Sequence, residues 1–386
     1  MGRQVATTTV LNHMRTCRLL AGLSQQELAT RSGLTRQAIS AIEAGHYLPN
    51  TAVALRLARV LGGSVEALFS LSPAPVTVRA ALTADAAPIC TVGDRVWAAQ
   101  IGDLVYAERL SGESAMRTPA DGVVAGIDAA TPDGPPQPLT VELLIDQQRL
   151  ANTVVLAGCD PATAILAGQL SRRYSALHLR WRPCNSSAAL DALRRDTTHV
   201  AGTHLQDSAS GVWNLPAIQE TLPGRAVVVL TLATWQEGLL LAPGNPKGIG
   251  SVADLARADV HIVNREPGSG SRRLLDTALA RAGIAAHQVR GYDHSAATHL
   301  AVGGAVAAGL VDAGCGIESV ARAFGLGFVP LQQERYDLAI PREHLQHPPV
   351  QGLLNIIVSL PYRRELAALG GYDTSQTGAV VAEFAA

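Results

Sequence analysis

Hydrophobic and polar residues follow three different patterns along the chain. Between residues 11 and 70, apolar positions recur every three or four residues, which predicts a run of short helices. From residue 89 to 146, short Val, Ile and Leu runs are separated by Gly, Asp, Ser and Pro, which is typical of strands in a small β unit. From residue 152 onward, strand-like and helix-like segments alternate, which predicts a mainly parallel sheet flanked by helices.

These patterns predict a multidomain protein with an all-α head, a small β-rich middle unit and an α/β domain. The length of 386 residues agrees, because a single core rarely grows beyond about 250–300 residues. We place the head at residues 8–71, a Pro-, Ala- and Thr-rich linker at 72–88, the β-rich unit at 89–150 and the α/β domain at 151–386.

Charge is distributed unevenly between these parts. The net charge is −1, with 47% hydrophobic and 16% charged residues, which excludes a disordered polyelectrolyte and a uniformly basic coat protein. Residues 11–70 carry a net +3, whereas residues 71–386 carry −5. A modestly basic head is therefore joined to an acidic body, and only the head has a charge suited to phosphate contacts.

The head contains signals for two helices joined by a tight turn. Ser24 and Glu27 form a capping box at the start of the first helix, and Gly33 lies in the turn. Thr35 caps the second helix, Arg36 to Glu43, whose outward face carries Arg36, Gln37 and Ser40. Arg pairs bidentately with guanine and Gln with adenine, so this face suits base reading.

The segment from Leu23 to Phe69 resembles the Xre or lambda-repressor-like helix-turn-helix domain over nearly its whole length. The resemblance implies a homodimer that binds operator DNA, with phosphates near the first motif helix and the second in the major groove. The DNA-binding residues that it implies are Gln25, Gln26, Thr35, Arg36, Gln37 and Ser40. The alternative is a small helical bundle used only for dimerisation or protein contacts.

In the α/β domain, the segment Asn264 to Arg273 follows a strand and opens a helix. Its glycines let backbone amides converge, and Ser269 and Ser271 add hydroxyl donors, so the loop favours an anion. It lacks both the GxxxxGK[ST] of nucleotide loops and the third Gly of a dinucleotide fingerprint, so these ligands are disfavoured. The alternative is a Ser/Gly-rich helix cap without a ligand.

Further loops occupy equivalent strand-to-helix junctions. They are Gly158 to Ala162 after the first strand of the domain, Cys184 to Ser187 after the second, and Thr298-His299 at the start of a later helix. Because ligands collect at the carboxyl ends of strands in open α/β sheets, these loops are expected to converge on one cleft.

The stretch from Asn152 to Ile357, which includes GCDPA, GLLLAPGNP and NREPGSGSR, resembles a cytoplasmic subfamily of the type II periplasmic-binding-protein fold. That subfamily occurs fused to helix-turn-helix domains and is grouped with molybdate or tungstate binding proteins. The resemblance implies two lobes that close on a ligand, 151–234 with 331–386 and 235–330, with crossovers near Thr234 and Leu331.

The SGSR sequence is similar to the serine-rich loop that grips an oxyanion in tungstate and phosphate receptors. By that likeness Ser269, Gly270, Ser271 and Arg272 contact the ligand. Together with the converging loops, the predicted ligand-binding residues are Cys159, Asp160, Ser186, Ser187, Arg265, Ser269, Gly270, Ser271, Arg272, Thr298 and His299.

Asp160 is a residue type that an oxyanion-binding site would not be expected to contain. Its carboxylate would repel a bare dianion unless it is turned away, paired with Arg265 or Arg272, or accepting a proton from the ligand. A small organic ligand with an amine or hydroxyl group is therefore a second interpretation.

Other reactive side chains do not form a recognisable catalytic or metal motif. His199, His204 and Asp207 lack any metal-ligand spacing, and Cys159 has no evident paired base, so no metal, cofactor or catalytic residue is predicted. The five cysteines lack CxxC spacing, and the N-terminal residues lack the apolar stretch of a signal peptide. We therefore expect a cytoplasmic protein without a membrane partner.

The sequence thus favours a ligand-responsive one-component transcriptional regulator, with an oxyanion such as molybdate or tungstate as effector. The alternatives are a sensor of a small organic ligand, and an enzyme or carrier of a molybdenum-cofactor precursor that the head recruits. The role of residues 89–150 stays open between a spacer, a dimer interface and a second ligand site.

Overall fold

The computed structural model describes residues 10–71, 75–83, 90–127 and 138–385. The chain divides into two compact units, Met1–Val76 and Thr77–Ala386. Within the described residues, no helix combines the length and the hydrophobicity that crossing a membrane requires.

The N-terminal unit is a bundle of five helices closed by a two-stranded antiparallel sheet. Its core is built from one side of each helix and includes Leu28, Ile39 and Leu57, whereas Leu55 is 57% exposed. The elements are β1 (Val10–Asn12), α1 (Met14–Leu20), α2 (Gln25–Ser32), α3 (Arg36–Glu43), α4 (Thr51–Leu61), α5 (Val65–Leu68) and β2 (Phe69–Leu71).

Local signals determine the two motif helices. The Ser24 hydroxyl accepts from the Glu27 amide at 3.2 Å, and the Glu27 carboxylate accepts from the Ser24 amide at 2.8 Å, so the predicted capping box is confirmed. Gly33 ends α2 with φ of 68°, a conformation that favours glycine. Thr35 caps α3 by accepting from the amide of Ala38 at 3.1 Å.

The β-rich unit is a closed five-stranded barrel with strand order β3-β5-β4-β6-β7. The predicted linker 72–88 is corrected here, because it contains a strand of this barrel, Thr77–Leu82, that pairs with two other strands. Residues 72–74, 84–89 and 128–137 of the predicted linker and β unit lie outside the described residues. The elements are β3 (Thr77–Leu82), β4 (Arg95–Ile101), β5 (Leu104–Arg109), α6 (Gly112–Arg117), β6 (Gly122–Ile127) and β7 (Pro138–Leu143).

The α/β domain is built on a ten-stranded sheet with the path β13-β12-β14-β11-β15-β10-β8-β9, and β16 and β17 pair with β11. Its strands are β8 (Thr153–Gly158), β9 (His178–Pro183), β10 (Val200–Thr203), β11 (Val227–Leu241), β12 (Ile262–Arg265), β13 (Ser295–Ala296), β14 (Ala313–Ile317), β15 (Gly327–Pro341), β16 (Tyr372–Asp373) and β17 (Val380–Phe384). Its helices are α7 (Gln148–Ala151), α8 (Thr163–Arg173), α9 (Ser186–Arg194), α10 (Leu215–Thr221), α11 (Gly270–Arg281), α12 (His299–Ala307), α13 (Glu318–Phe324), α14 (Pro348–Ile357) and α15 (Leu360–Ala368).

Two 15-residue strands, β11 and β15, run antiparallel through the whole domain. One half of this ribbon pairs with β10 and β17, and the other half pairs with β14, so the ribbon connects two lobes. Each lobe has a core cluster of its own, and the largest cluster extends across both. The predicted crossover positions Thr234 and Leu331 both lie within it. Side chains near the middle of the ribbon therefore face the region between the lobes.

A tyrosine from this ribbon requires glycines on two neighbouring strands. Tyr336 is fully buried, and a methyl group at Gly158 or Gly202 would overlap its hydroxyl. These glycines therefore leave the space that the ring occupies between β8, β10 and β15.

We predict that Gly202→Ala lowers the free energy of unfolding by about 1–3 kcal/mol, because the added methyl overpacks the core against Tyr336. The matched control is Gly168→Ala in α8, where the added methyl meets no heavy atom within 4 Å. That control should gain about 0.5–1 kcal/mol from helix propensity. Chemical denaturation measures both, and equal stability of the two variants would contradict the packing argument.

Candidate functional site

The predicted DNA-reading face of α3 is open in the N-terminal unit. Thr35, Arg36, Gln37 and Ser40 are exposed, and the opposite side of the helix is buried. Gln26 on α2 is also exposed. This face is therefore free to meet a macromolecular partner.

Gln25 has a different role from its neighbour. Its side-chain amide donates to the Glu43 carboxylate at 2.8 Å, and Arg18 pairs with the same carboxylate at 2.6 Å. This network joins α1, α2 and the end of α3, and it lowers the pKa of Glu43 although burial acts in the opposite direction. The Gln25 side chain therefore stabilises the contact between α2 and α3.

In the α/β domain, the loops that the sequence expects at one cleft do converge. The Ser187 hydroxyl donates to the Gly268 carbonyl at 3.1 Å, and the Asn185 amide donates to the Pro267 carbonyl at 3.4 Å. The Ser186 hydroxyl accepts from the His204 backbone amide at 3.1 Å. The loop after β9 in one lobe thus contacts the loop after β12 in the other, and the lobes are closed.

Beneath these loops lies a group of buried polar and aromatic side chains, which we name the interlobe cluster. Its members come from both lobes and from the β11–β15 ribbon, and none is more than 7% exposed. They are Cys159, Asp160, His204, Trp235, Glu237, Arg265, Ser271, His299, Glu334, Tyr336 and Tyr372.

His204 is the hub of the cluster. Its Nδ1 lies 2.5 Å from Glu334 and 3.4 Å from Glu237, and Ser271 donates to the other oxygen of Glu237. A methyl group at position 270 would overlap the His204 ring, so Gly270 is needed for the close approach of α11. The two glutamates come from β11 and β15, which places the hub on the ribbon.

Burial and neighbouring groups set the charges around this hub. Burial alone would lower the pKa of His204, but Cys159 and Glu334 raise it well above its usual value. Burial, followed by the charge of Glu237, raises the pKa of Glu334 well above its usual range. Burial also acts to raise the pKa of Glu237, but the hydrogen bond and charge of His204 hold it well below that range. These directions favour a charged His204–Glu237 pair beside a Glu334 carboxyl that holds its proton more tightly than usual.

Asp160 is a fully buried member of the cluster, and it pairs with no arginine among the residues that the structure describes. Its Oδ1 accepts from the Tyr372 hydroxyl at 2.6 Å and from the Ala162 amide at 3.0 Å, so its partner is a tyrosine instead of Arg265 or Arg272. Burial raises the pKa of Asp160 to about 6, against these two hydrogen bonds.

Several buried polar atoms of the cluster have no hydrogen-bond partner among the described residues. They are Asp160 Oδ2, Trp235 Nε1, Glu237 Oε2, Arg265 Nη1, the Tyr336 hydroxyl and both ring nitrogens of His299. An unpaired buried polar group costs about 1–3 kcal/mol, so several in one place indicate that a bound species supplies their partners.

The side chains of the predicted serine-rich loop make hydrogen bonds within the protein. The Ser269 hydroxyl caps α11 and donates to the Glu266 carbonyl, and Ser271 donates to Glu237. The Arg272 guanidinium lies 4.0 Å from the Tyr292 ring centre and donates to backbone carbonyls. The loop hydroxyls and Arg272 are thus occupied within the protein.

Arg265 and the start of α12 do face the cluster. Arg265 is fully buried and binds Glu266 with Nε and Nη2 at 2.9 and 3.0 Å, which leaves Nη1 unpaired. Thr298 caps α12 by accepting from the Ala301 amide, and His299 follows it into the cluster. Burial and the charge of Arg265 hold the pKa of His299 well below its usual value, so its ring is neutral.

The residues that sequence reasoning missed are Trp235, Glu237, Glu334, Tyr336 and Tyr372. The available signal was Glu237, a charged residue within the apolar run of β11. The set His199, His204 and Asp207 is separated in space: His199 stacks on His347 with ring centres 4.8 Å apart, and Asp207 accepts from the Ser210 amide.

Two sets of potential metal ligands share His204. Ligand atoms of Cys159, His204 and His299 lie within 4.8 Å of one another, as do those of His204, Glu237 and Glu334. A third set, Asp196, Glu343 and His344, has its two carboxylates already bridged by Arg225.

An open pocket of about 240 Å³ reaches the cluster from the surface. His204, Gly270 and Glu334 form its inner wall. Arg273 and Arg281, from α11, line its outer part. The pocket gives solvent a route to the His204 hub.

We predict that Asp160→Asn gains stability relative to the native chain as pH rises. The pKa of Asp160 is about 6 in the folded chain and near 3.8 in the unfolded chain. As pH rises between these values, the unfolded chain loses this proton first, so the native protein becomes less stable, whereas the Asn variant has no such proton to lose. The difference in free energy of unfolding should change by about 2–3 kcal/mol between pH 4 and pH 7. Parallel pH profiles of the two proteins would contradict this assignment.

Comparisons with known proteins agree with this architecture. A helix-turn-helix family model matches residues 14–68, and a model described as a PBP superfamily domain matches residues 167–358. The uncharacterized protein YvgK of Bacillus subtilis is 32% identical over 230 residues, which cover 60% of this chain and 74% of YvgK. An uncharacterized HTH-type transcriptional regulator of Methanothermobacter thermautotrophicus is 51% identical over 51 residues, 13% of this chain and 74% of that protein.

Among solved structures, a putative phosphate ABC transporter substrate-binding protein from Clostridium perfringens aligns with a TM-score of 0.44 and 13% identity. The alignment covers 57% of this chain and 98% of that one. The sequence matches show that the chain belongs to the helix-turn-helix proteins in which an Xre-like head is fused to a domain of the PBP superfamily.

Proposed function

We propose that this protein is a ligand-responsive one-component transcriptional regulator. A homodimer of the head binds operator DNA in the cytoplasm, and the PBP-like domain binds a small effector between its lobes. The observation that carries the effector proposal is the set of unpaired polar atoms buried where the two lobes meet.

The DNA proposal rests on the exposed face of α3. Arg36 and Gln37 stand at the start of this helix, where a recognition helix contacts base edges, and Ser40 lies one turn later. Paired heads would read two half-sites about 34 Å apart, so a small change in dimer geometry alters the fit to DNA. Effector binding between the lobes supplies such a change.

An oxyanion such as molybdate or tungstate is the first candidate effector. Trp235 Nε1 and Arg265 Nη1 are buried donors that find no acceptor among the described residues, and Arg265 carries a full positive charge. Hydrogen bonds from charged donors to an oxyanion are about twice as strong as neutral ones.

A small organic ligand with an amine or hydroxyl group is the second candidate. Asp160 Oδ2 is a buried acceptor for which the described part of the chain supplies no donor, and it suits a donor on the ligand. One ligand can then place an acidic group at Arg265 and a hydrogen-bond donor at Asp160.

For the DNA proposal, replacing Arg36 and Gln37 with Ala should abolish sequence preference in a gel-shift assay and leave the PBP-like domain unchanged. Each lost bidentate contact removes about 1–3 kcal/mol of base discrimination. Arg59→Ala on α4 is the matched control, because it removes an exposed arginine outside α3. Retained preference in the double variant would overturn the recognition-helix assignment.

For the effector proposal, molybdate or tungstate at 100 times its dissociation constant should stabilise the chain by about 2.7 kcal/mol in a thermal-shift assay. Trp235→Phe keeps the ring and removes its donor, so it should weaken binding roughly 10- to 100-fold. Trp97→Phe, in the barrel, should bind as the native chain does. If molybdate, tungstate, sulfate and phosphate all leave the melting temperature unchanged, the oxyanion candidate fails and organic acids are tested in its place.

A further inference from the structure

Cys159, His204 and His299 bring three potential metal ligands together, and the hydrogen bonds of the described residues leave His299 without a partner. Cys159 follows β8 and His204 follows β10 in one lobe, whereas His299 begins α12 in the other. All three are buried, and their ligand atoms lie within 4.8 Å of one another. Three residues from distant parts of the chain thus bring one sulfur and two imidazoles to a single point.

His299 gives the strongest sign of a missing partner. Its ring is fully buried, and neither nitrogen has a hydrogen-bond partner among the described residues. A neutral imidazole carries one donor and one acceptor, and leaving both unpaired inside a protein is costly. A metal ion satisfies the acceptor nitrogen directly and fixes the ring.

His204 is held as metal-bound histidines usually are. Its Nδ1 contacts Glu334 at 2.5 Å, and a side-chain hydrogen bond also joins its ring to Cys159. Histidines that bind metals commonly direct the second ring nitrogen to a carboxylate, which orients the ring and raises its basicity. Trp235 and Tyr336 pack beside the His204 ring, with centres 5.3 and 6.1 Å away.

From this geometry we infer that Cys159, His204 and His299 bind a divalent transition-metal ion of the zinc class, with a fourth coordination position left open. Thiolate and imidazole ligands favour zinc, cobalt, nickel or copper, whereas magnesium and calcium prefer oxygen ligands. Tetrahedral zinc with bonds of about 2.0–2.3 Å places its ligand atoms about 3–4 Å apart. A small contraction of the present spacing brings the three ligand atoms to that geometry.

This inference rests on the proposed function and deepens it, because it concerns the same interlobe cluster. The carboxylates of Asp160 and Glu237 oppose an anionic effector, and a divalent cation beside them offsets that repulsion. The open position on the metal then accepts an oxygen of the effector. Because its ligands come from both lobes, the ion also joins the lobes and favours their closure.

The direct experiment titrates Co²⁺ into the full chain after chelator treatment. We expect one equivalent to bind, with visible bands of tetrahedral cobalt and a near-ultraviolet band from thiolate to cobalt. Zn²⁺ should displace the cobalt and abolish both signals. A spectrum without the thiolate band, or of six-coordinate cobalt, would overturn the assignment in the native chain without relying on any variant.

Variants then test each ligand. Cys159→Ser and His299→Gln should lower Zn²⁺ affinity at least 100-fold, because each removes one of three protein ligands. The control for Cys159→Ser is Cys90→Ser, which changes a buried cysteine of the barrel. The control for His299→Gln is His261→Gln, which changes a histidine of the same lobe that lies outside the donor set. Equal Zn²⁺ affinity in Cys159→Ser and Cys90→Ser would contradict the proposal, and circular dichroism confirms that each variant is folded.

Two further measurements distinguish failure of the metal proposal from failure of the regulator proposal. Gel shifts with operator DNA and thermal shifts with molybdate are measured on both metal-free and zinc-loaded protein. If zinc binding is absent but molybdate still stabilises the metal-free chain, the metal inference falls and the effector proposal stands. Tighter molybdate binding in the zinc-loaded protein supports both, and zinc binding with no change in molybdate or DNA affinity overturns the link between them.

Discussion

The structure of the PBP-like domain depends on the contact between His204 and the two glutamates of the central ribbon. Burying ionisable groups is costly unless they are paired, and here one imidazole is shared by Glu334 at 2.5 Å and Glu237 at 3.4 Å. Removing one partner would leave an uncompensated charge in the interior. The three residues therefore stabilise one another only when β10, β11 and β15 are in register.

The ribbon also explains why the site lies between the lobes. Each long strand belongs to one lobe at one end and to the other lobe at the opposite end, so its middle residues face the boundary. Loops from both lobes close over this point through Ser187 and Gly268. A species bound at the centre contacts both lobes at once, which is the physical basis for coupling its binding to lobe closure.

The parts of the structure that the sequence predicted are those determined by residues close together in the chain. The capping box at Ser24 and the Thr35 cap predicted the limits of α2 and α3, because each is a contact over three residues. The convergence of the loops near Ser187 and Gly268 followed from the alternation of strands and helices. Strand β3 was missed because Thr77–Leu82 lies next to Pro- and Ala-rich sequence, and its partners are 25 to 65 residues away.

The sequence by itself determined the helix-turn-helix head, the α/β class of the larger domain and the strand-end loops from which its site is built. The tertiary structure alone decided which side chains meet. Asp160 pairs with Tyr372, 212 residues away, instead of an arginine, and Arg272 turns to Tyr292 while Arg265 faces the cluster. Helix caps and alternation arise from short-range geometry, whereas the pairing and ionisation of buried groups depend on which distant strands bring their partners within hydrogen-bond distance.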